Sequence, residues 1–376
     1  MSQPKHIAFL APNLNGGGLE RVVVNLLKGM VKHNLKLDLV LTSATGPLLK
    51  DVPSEVRIID LKTPLGLRLK SASNVISPLV NYLRQEKPDV VFSNLLTYNL
   101  VAVVAVALAR VPTYLVLIEH LSLQETKNRR RGFQFWLLPL LMRYLYPRAD
   151  AVLAVSKRLA RELEADLKMR SGTIKTIYNP VIDDNLLLKS QESIEHPWFK
   201  DGEVPVVLGV GRLVDQKDFS TLIRAFAIVR KTRPARLVIL GDGVEKKKLK
   251  SLISELSLED DVALLGFVEN PYAYMSKATV FALSSAWEGF GNVVVEAMAV
   301  GTPVVSTNCE SGPEEILDNG KYGELVSVGD REAMAAAILR VLAGNSKSVD
   351  PAWLQQFTLE NATQKYLEFL GFSENN

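Results

Sequence analysis

Val280-Phe-Ala-Leu-Ser-Ser-Ala-Trp-Glu-Gly-Phe-Gly-Asn-Val-Val-Val-Glu-Ala-Met-Ala-Val-Gly-Thr-Pro-Val-Val305 decides the fold of this chain. Val280 to Leu283 is an apolar strand that runs into a loop broken by glycines. A helix starts near Gly291, and a second strand follows Gly301-Thr302-Pro303. Glu288 therefore stands on a loop at a strand's carboxyl end, and Glu296 lies about a turn and a half into the helix. The helix N-terminus between them offers backbone N–H groups and a partial positive charge, which suits a phosphate. A carboxylate on either side of such a seat can hold the hydroxyls at the two ends of a nucleotide-sugar.

The same strand–helix alternation runs through all 376 residues, the pattern of a doubly wound α/β fold. In the first half the strands are expected at His6–Leu10, Leu37–Thr42, Val56–Asp60, Val90–Ser93, Thr113–Glu119, Ala151–Val155 and Thr173–Tyr178. Helices such as Leu19–Val31 and Val75–Gln85 lie between them. Asn179 to Asp183 reads as the exit into a linker, and Ser190 to Val204 is polar and irregular. The second series is Pro205–Gly211, Arg236–Leu240, Val262–Leu265, Val280–Leu283, Pro303–Ser306 and Tyr322–Val326, joined by helices such as Thr221–Lys231 and Lys246–Ser257. Two Rossmann-like halves facing a cleft are expected: 1–185 on the acceptor side, 186–353 for the nucleotide-sugar, and a helix in 354–376 returning to the first half.

Composition excludes several function classes. One cysteine, Cys309, leaves no disulfide within the chain and no Cys-based zinc site, and the four histidines lack ligand spacing. No metal and no cofactor is expected. The longest apolar stretch, Leu100 to Ile118, is broken by Arg110 and Pro112, so it reads as a buried helix and then a strand. The opening residues carry no secretory pattern, and a cytoplasmic location is expected. Between Leu121 and Lys175 there are 12 Lys/Arg against 5 Asp/Glu, yet no nucleic-acid motif accompanies them.

In such sheets ligands bind beyond the carboxyl ends of strands. Pro12 to Arg21 follows the first strand and carries Gly16, Gly17 and Gly18, which fit either a tight turn or a close backbone approach to a ligand. It is not the dinucleotide fingerprint. After the first strand of the second half, Arg212 and Lys217 are two surface cations or a pair converging on a diphosphate. His120 ends the strand Thr113–Glu119, as a structural residue or a cleft residue, with Glu119 as a possible hydrogen-bonding neighbour.

Taken together, these residues resemble the family-4 glycosyltransferases, retaining enzymes of the GT-B fold. The resemblance covers nearly the whole chain: glycines 16–18, His120, Gly211-Arg212 with Lys217, Gly241-Asp242-Gly243, and Glu288-x7-Glu296. Ser306 to Leu317 further resembles bacterial enzymes that build surface or lipid-linked glycans from UDP-hexoses or UDP-N-acetylhexosamines. The resemblance implies that Arg212 and Lys217 bind the donor diphosphate, Glu296 the ribose and Glu288 the transferred sugar. It implies that the backbone of Phe290, Gly291 and Asn292 meets phosphate or sugar, that Gly17 and Gly18 close on the phosphate, and that His120 sits near sugar and acceptor. Glu288, His120, Arg212 and Lys217 are the catalytic candidates. The chain has no Asp-x-Asp motif, in keeping with a leaving group neutralised by Arg, Lys and helix dipoles.

Lys127 to Arg148 places Arg129, Arg130 and Arg131 before an apolar run with Phe133, Phe135, Trp136, Tyr144 and Tyr146. The run is too short to span a bilayer. It fits a peripheral helix on the inner face of the cytoplasmic membrane, with a polyprenyl-diphosphate-linked glycan acceptor, and equally a buried helix with a solvated basic cap. Two rivals to a transferase stay open: a nucleotide-sugar epimerase of the same fold, and a non-catalytic sugar-nucleotide-binding membrane scaffold.

Overall fold

A computed structural model of the protein describes residues 4–63, 69–121, 123, 137–200 and 204–372, with backbone only for 69–73. The chain forms two compact units, one of residues up to Pro180 together with those from Leu359 onward, the other Val181–Thr358.

The first unit is a seven-stranded sheet, β1 (Lys5–Ala11), β2 (Leu35–Leu41), β3 (Arg57–Asp60), β4 (Val90–Asn94), β5 (Tyr114–Glu119), β6 (Ala151–Ala154) and β7 (Lys175–Thr176), in the order β3-β2-β1-β4-β5-β6-β7. Every pairing is parallel. The helices between are α1 (Gly18–Met30), α2 (Leu69–Glu86), α3 (Leu96–Ala109), α4 (Leu138–Leu145) and α5 (Lys157–Leu167). Helices cover both faces of such a sheet, which explains why β4 is buried at every residue and its sequence does not alternate. Phe9 and Phe92 stack across neighbouring strands, with ring centroids 4.9 Å apart. In the middle of β2, buried Asp38 takes hydrogen bonds from Arg57 and Tyr82 and pairs with His6 Nε2 at 2.9 Å.

The second unit contains α6 (Asp184–Ser190), β8 (Val206–Val210), α7 (Phe219–Thr232), β9 (Arg236–Leu240), α8 (Lys246–Glu255), β10 (Val262–Gly266), α9 (Pro271–Lys277), β11 (Val280–Leu283), α10 (Asn292–Ala299), β12 (Val304–Thr307), α11 (Pro313–Ile316), β13 (Glu324–Val326), α12 (Arg331–Leu342) and α13 (Pro351–Leu354). Its sheet has six strands in the order β10-β9-β8-β11-β12-β13, again all parallel. Val207, Leu237 and Ile239 pack with Phe226, Leu222, Met334 and Ile338 into one core. The order reverses between β8 and β11 here, as it does between β1 and β4 in the first unit. These are the topological switch points, where the loops diverge and leave room for a ligand.

Two expected elements differ. The strand expected over Thr173–Tyr178 shrinks to Lys175–Thr176, because an edge strand here pairs with only Leu153 and Ala154. The single helix expected in 354–376 is broken. The Phe357 carbonyl accepts the N–H groups of Val181 at 2.9 Å and Ile182 at 3.0 Å, and Thr358 is extended beside Ile182, so the backbone leaves the helical path. Past the break, α14 (Leu359–Phe369) packs in the first unit on α1 and puts Tyr366 edge-on to Phe92.

Candidate active site

In the second unit, the loops leaving β8 and β11 are laced together at the switch point. Ala286 N–H donates to the Gln216 carbonyl at 2.8 Å, and Gln216 Nε2 returns a bond to the Trp287 carbonyl at 3.0 Å. Ser284 Oγ donates to the Lys217 carbonyl at 2.7 Å. This lacing brings Lys217 Nζ to 2.5 Å from Glu288 Oε1, which also accepts Ser285 Oγ at 2.6 Å. The Lys217 and Glu288 side chains are only 14% and 9% exposed. They form a shielded ion pair, whereas the loop position alone suggests two groups lying open outside the core. Arg212 does not join them: it is exposed and makes no side-chain hydrogen bond or ion pair among the described residues.

Beyond Glu288 the chain turns through Phe290 into α10. Gly291 precedes that helix at φ +97°, a conformation costly for a side chain, and no side chain caps the helix. The turn is backed by Gly312, at φ +129°, where a Cβ would lie 1.8 Å from the Phe290 carbonyl oxygen. Asn292 is the first residue of α10, and Glu296 is buried one turn further on. Lys217, Glu288, Phe290, Gly291, Asn292 and Glu296 are thus gathered around one strand-to-helix junction.

The first unit holds the other candidates at its own carboxyl ends. Gly17 stands before α1 and Gly18 begins it, with no side-chain cap. His120 follows β5, is buried, and its Nε2 lies 3.2 Å from Asn94 Oδ1 at the end of β4. Burial pushes its imidazole down to about 3, so it is neutral at physiological pH. An Nε2–H donated to the amide oxygen leaves Nδ1 as the acceptor. Glu119 is not its hydrogen-bonding neighbour. That carboxylate turns into the interior, where Tyr146 Oη and Asn99 Nδ2 donate to Oε1, the latter at 2.7 Å. Burial raises its carboxyl to about 7 although both hydrogen bonds pull the other way.

Lys127 to Trp136, including Arg129, Arg130, Arg131, Phe133 and Phe135, lies outside the described residues. The rest of that segment is α4. Leu138 and Met142 face inward, while Leu137, Leu140, Leu141 and Tyr144 are exposed. Those four fall at i, i+3, i+4 and i+7, so an apolar stripe of one helix is open to solvent. Arg148 lies over the Tyr144 ring with its Cζ 3.7 Å from the centroid. Among the described residues no helix is long and apolar enough to cross a membrane.

Ser284, Ser285, Gln216 and Asn94 carry the site's supporting contacts and were not singled out in the sequence. A short polar side chain just past an apolar strand was the available signal, and it is too common to be decisive.

Two family profiles divide the chain between them: Glycosyltransferase Family 4 matches residues 16–185 and Glycosyl transferases group 1 matches residues 190–352. The chain is 30% identical over 343 residues to N-acetylgalactosamine-N,N'-diacetylbacillosaminyl-diphospho-undecaprenol 4-alpha-N-acetylgalactosaminyltransferase of Campylobacter jejuni, covering 88% of each. It is 28% identical to the lipopolysaccharide core biosynthesis glycosyltransferase LpsE of Rhizobium meliloti, over 94% of this chain and 96% of the relative. The fold matches that of Anabaena HepE, solved in complex with UDP and glucose, with a TM-score of 0.78, 23% identity, and 98% and 99% of the two chains covered. Both parallel sheets, the two family profiles and a relative 30% identical over 88% of each chain agree: this chain is a glycosyltransferase and belongs to family 4, the group 1 glycosyl transferases of GT-B architecture.

Proposed function

We propose that this enzyme transfers a hexose or N-acetylhexosamine from a UDP-sugar to a glycan carried on a polyprenyl diphosphate, with retention at the anomeric carbon and without a metal ion. The assembly of a cell-surface glycan is the corresponding role, at the inner face of the cytoplasmic membrane. The observation that carries the reading is the Lys217–Glu288 pair at the β8/β11 switch point, next to the uncapped start of α10. The Campylobacter relative, named for a diphospho-undecaprenol substrate, supports the acceptor class, the Rhizobium relative supports the cell-surface role, and the UDP-bound Anabaena structure supports the nucleotide.

In this reading the second unit takes the donor and the first the acceptor. Arg212, exposed and without a protein partner among the described residues, and the Lys217 ammonium meet the diphosphate. The start of α10, with the backbone of Phe290, Gly291 and Asn292, adds N–H groups and the helix dipole. Glu296 takes the ribose hydroxyls and Glu288 those of the sugar. Gly17 and Gly18, at the start of α1 in the first unit, offer backbone N–H groups suited to a phosphate. The bond from the anomeric carbon to the diphosphate oxygen breaks with its electron pair leaving on UDP. The acceptor oxygen forms its bond on the same face, and its proton passes to the departing phosphate oxygen. Preorganised cations opposite the charge that develops are the main source of rate, each worth about 10²–10³. His120, neutral, offers Nδ1 to a hydroxyl and adds no charge to the developing cation. The exposed stripe of α4, with basic Arg148 beside it, fits an interfacial helix resting on anionic lipid.

The test is a donor screen with UDP-, GDP- and ADP-sugars, with and without a detergent-solubilised polyprenyl-diphosphate acceptor, in buffer with and without chelator. Acceptor-dependent UDP release from one donor, unchanged by chelator, is the expected result. Conversion of the donor without acceptor points to an epimerase, and binding without turnover to a scaffold.

A further inference from the structure

We infer that Ser285 is a positioning residue that fixes the Glu288 carboxylate, so that Oε2 is the oxygen presented to the donor sugar. The inference rests on the proposed donor site.

Ser284 and Ser285 continue β11 past its last residue, Leu283, where successive side chains point to opposite sides. One hydroxyl is thereby sent to each of the two charged partners. Ser284 Oγ holds the Lys217 main chain at 2.7 Å. Ser285 Oγ, on a residue with no exposure at all, donates to Glu288 Oε1 at 2.6 Å. The Ser285 carbonyl is itself tied down by Thr307 Oγ1 at 2.7 Å, so the donor hydroxyl starts from an anchored backbone. Oε1 thus receives both a hydroxyl and an ammonium, whereas Oε2 accepts nothing among the described residues.

A carboxylate bound through one oxygen by Lys alone can swing on a flexible four-carbon stem. The second, short-tethered donor removes that freedom and sets which oxygen is occupied. Glu288 then meets the sugar with an oxygen already oriented, which spares its ordering when the donor binds. Lys217 keeps ammonium hydrogens for phosphate, since it carries three donors and one is taken among the described residues.

The experiment is a double-mutant cycle on the full chain, with Ser285→Ala, Glu288→Ala and the double variant, read in two ways. Transfer with the donor found by the screen gives kcat and KM, and calorimetry with UDP alone gives nucleotide affinity. Ser285→Ala is expected to lower kcat by about tenfold to a hundredfold, the size of a hydrogen bond to a charged group. It should leave UDP affinity within about twofold, because the sugar contact and not the nucleotide contact is disturbed. In the Glu288→Ala background the same substitution should change the residual rate by less than about twofold. Ser285→Cys keeps the volume with a weak donor and should behave like Ser285→Ala, which guards against a cavity effect. The thermal version of the cycle needs no substrate: Ser285→Ala should lower Tm by roughly 3 °C or more in the wild-type background and hardly at all beside Glu288→Ala. Equal losses in both backgrounds, in rate or in Tm, overturn the inference. Coupled Tm values in a chain that uses no nucleotide-sugar leave Ser285 positioning Glu288 and sink the donor assignment instead.

Discussion

Removing the Lys217 ammonium is the perturbation with the most to reveal, because it acts on stability and on chemistry for different reasons. In Lys217→Ala, Glu288 keeps only the Ser285 hydroxyl in a position where its side chain is 9% exposed. A buried ion pair broken from one side costs about 3–5 kcal/mol, chiefly through the stranded charge. With 14% and 9% of the two side chains still reached by solvent, the lower end applies, about 3 kcal/mol. For a unit of this size that is a drop of roughly 6–12 °C in the melting of the second unit by calorimetry. Lys217→Met with Glu288→Gln removes both charges and should recover most of that loss, since apolar or neutral replacements of whole pairs are close to neutral. Transfer should stay down by about 10²–10³ in both variants, because the diphosphate has lost its cation. The assays are calorimetry and initial rates of sugar transfer side by side. A single variant that melts within about 1 °C of the wild type, or a double variant less stable than either single one, would refute the reasoning from burial.

Geometry yields three further predictions. Adjacent Glu119 and His120 should give opposite pH slopes in urea unfolding: between about 3 and the ordinary 6.5 the unfolded chain binds a proton at His120 that the folded one refuses, so stability falls as pH drops. Between the ordinary 4.5 and about 7 the folded chain holds a proton on Glu119 that the unfolded one releases, so stability falls as pH rises, and Glu119→Gln should abolish that second slope alone. Gly312→Ala meets both a φ of +129° and the Phe290 carbonyl at 1.8 Å, and should cost several times the roughly 1 kcal/mol expected of Gly329→Ala, whose φ is +77° with nothing within 4 Å; equal Tm losses would contradict it. Asp38 is ionised well below the usual carboxylate range: burial opposes this, but hydrogen bonds from His6, Arg57 and Tyr82 outweigh it. That stability is present above the unfolded carboxyl's ordinary 3.8 and is lost as pH falls, so Asp38→Asn should flatten the acid limb of unfolding, and an unchanged acid midpoint would count against it.

Much of this enzyme was legible in its sequence for a local reason. Strands buried on both faces must be continuously apolar, and helices between them must show a stripe, so Val280–Leu283 and Val206–Val210 announce themselves, and the glycines and Glu288 come at their carboxyl ends. Strand order decides which of those ends share a ligand, and order is set by crossovers that no local window contains. The sheet order alone puts β8 beside β11, and with it Lys217 against Glu288 across 71 positions of chain. The same holds for Ser285, an ordinary serine until Glu288 folds back on it, and for Glu119, whose partner Tyr146 comes from beyond a helix and not from His120 next door. The sequence determined what each segment is; the tertiary structure decided which charges are stripped of water and which partner each one keeps, because burial and pairing are properties of distances between segments.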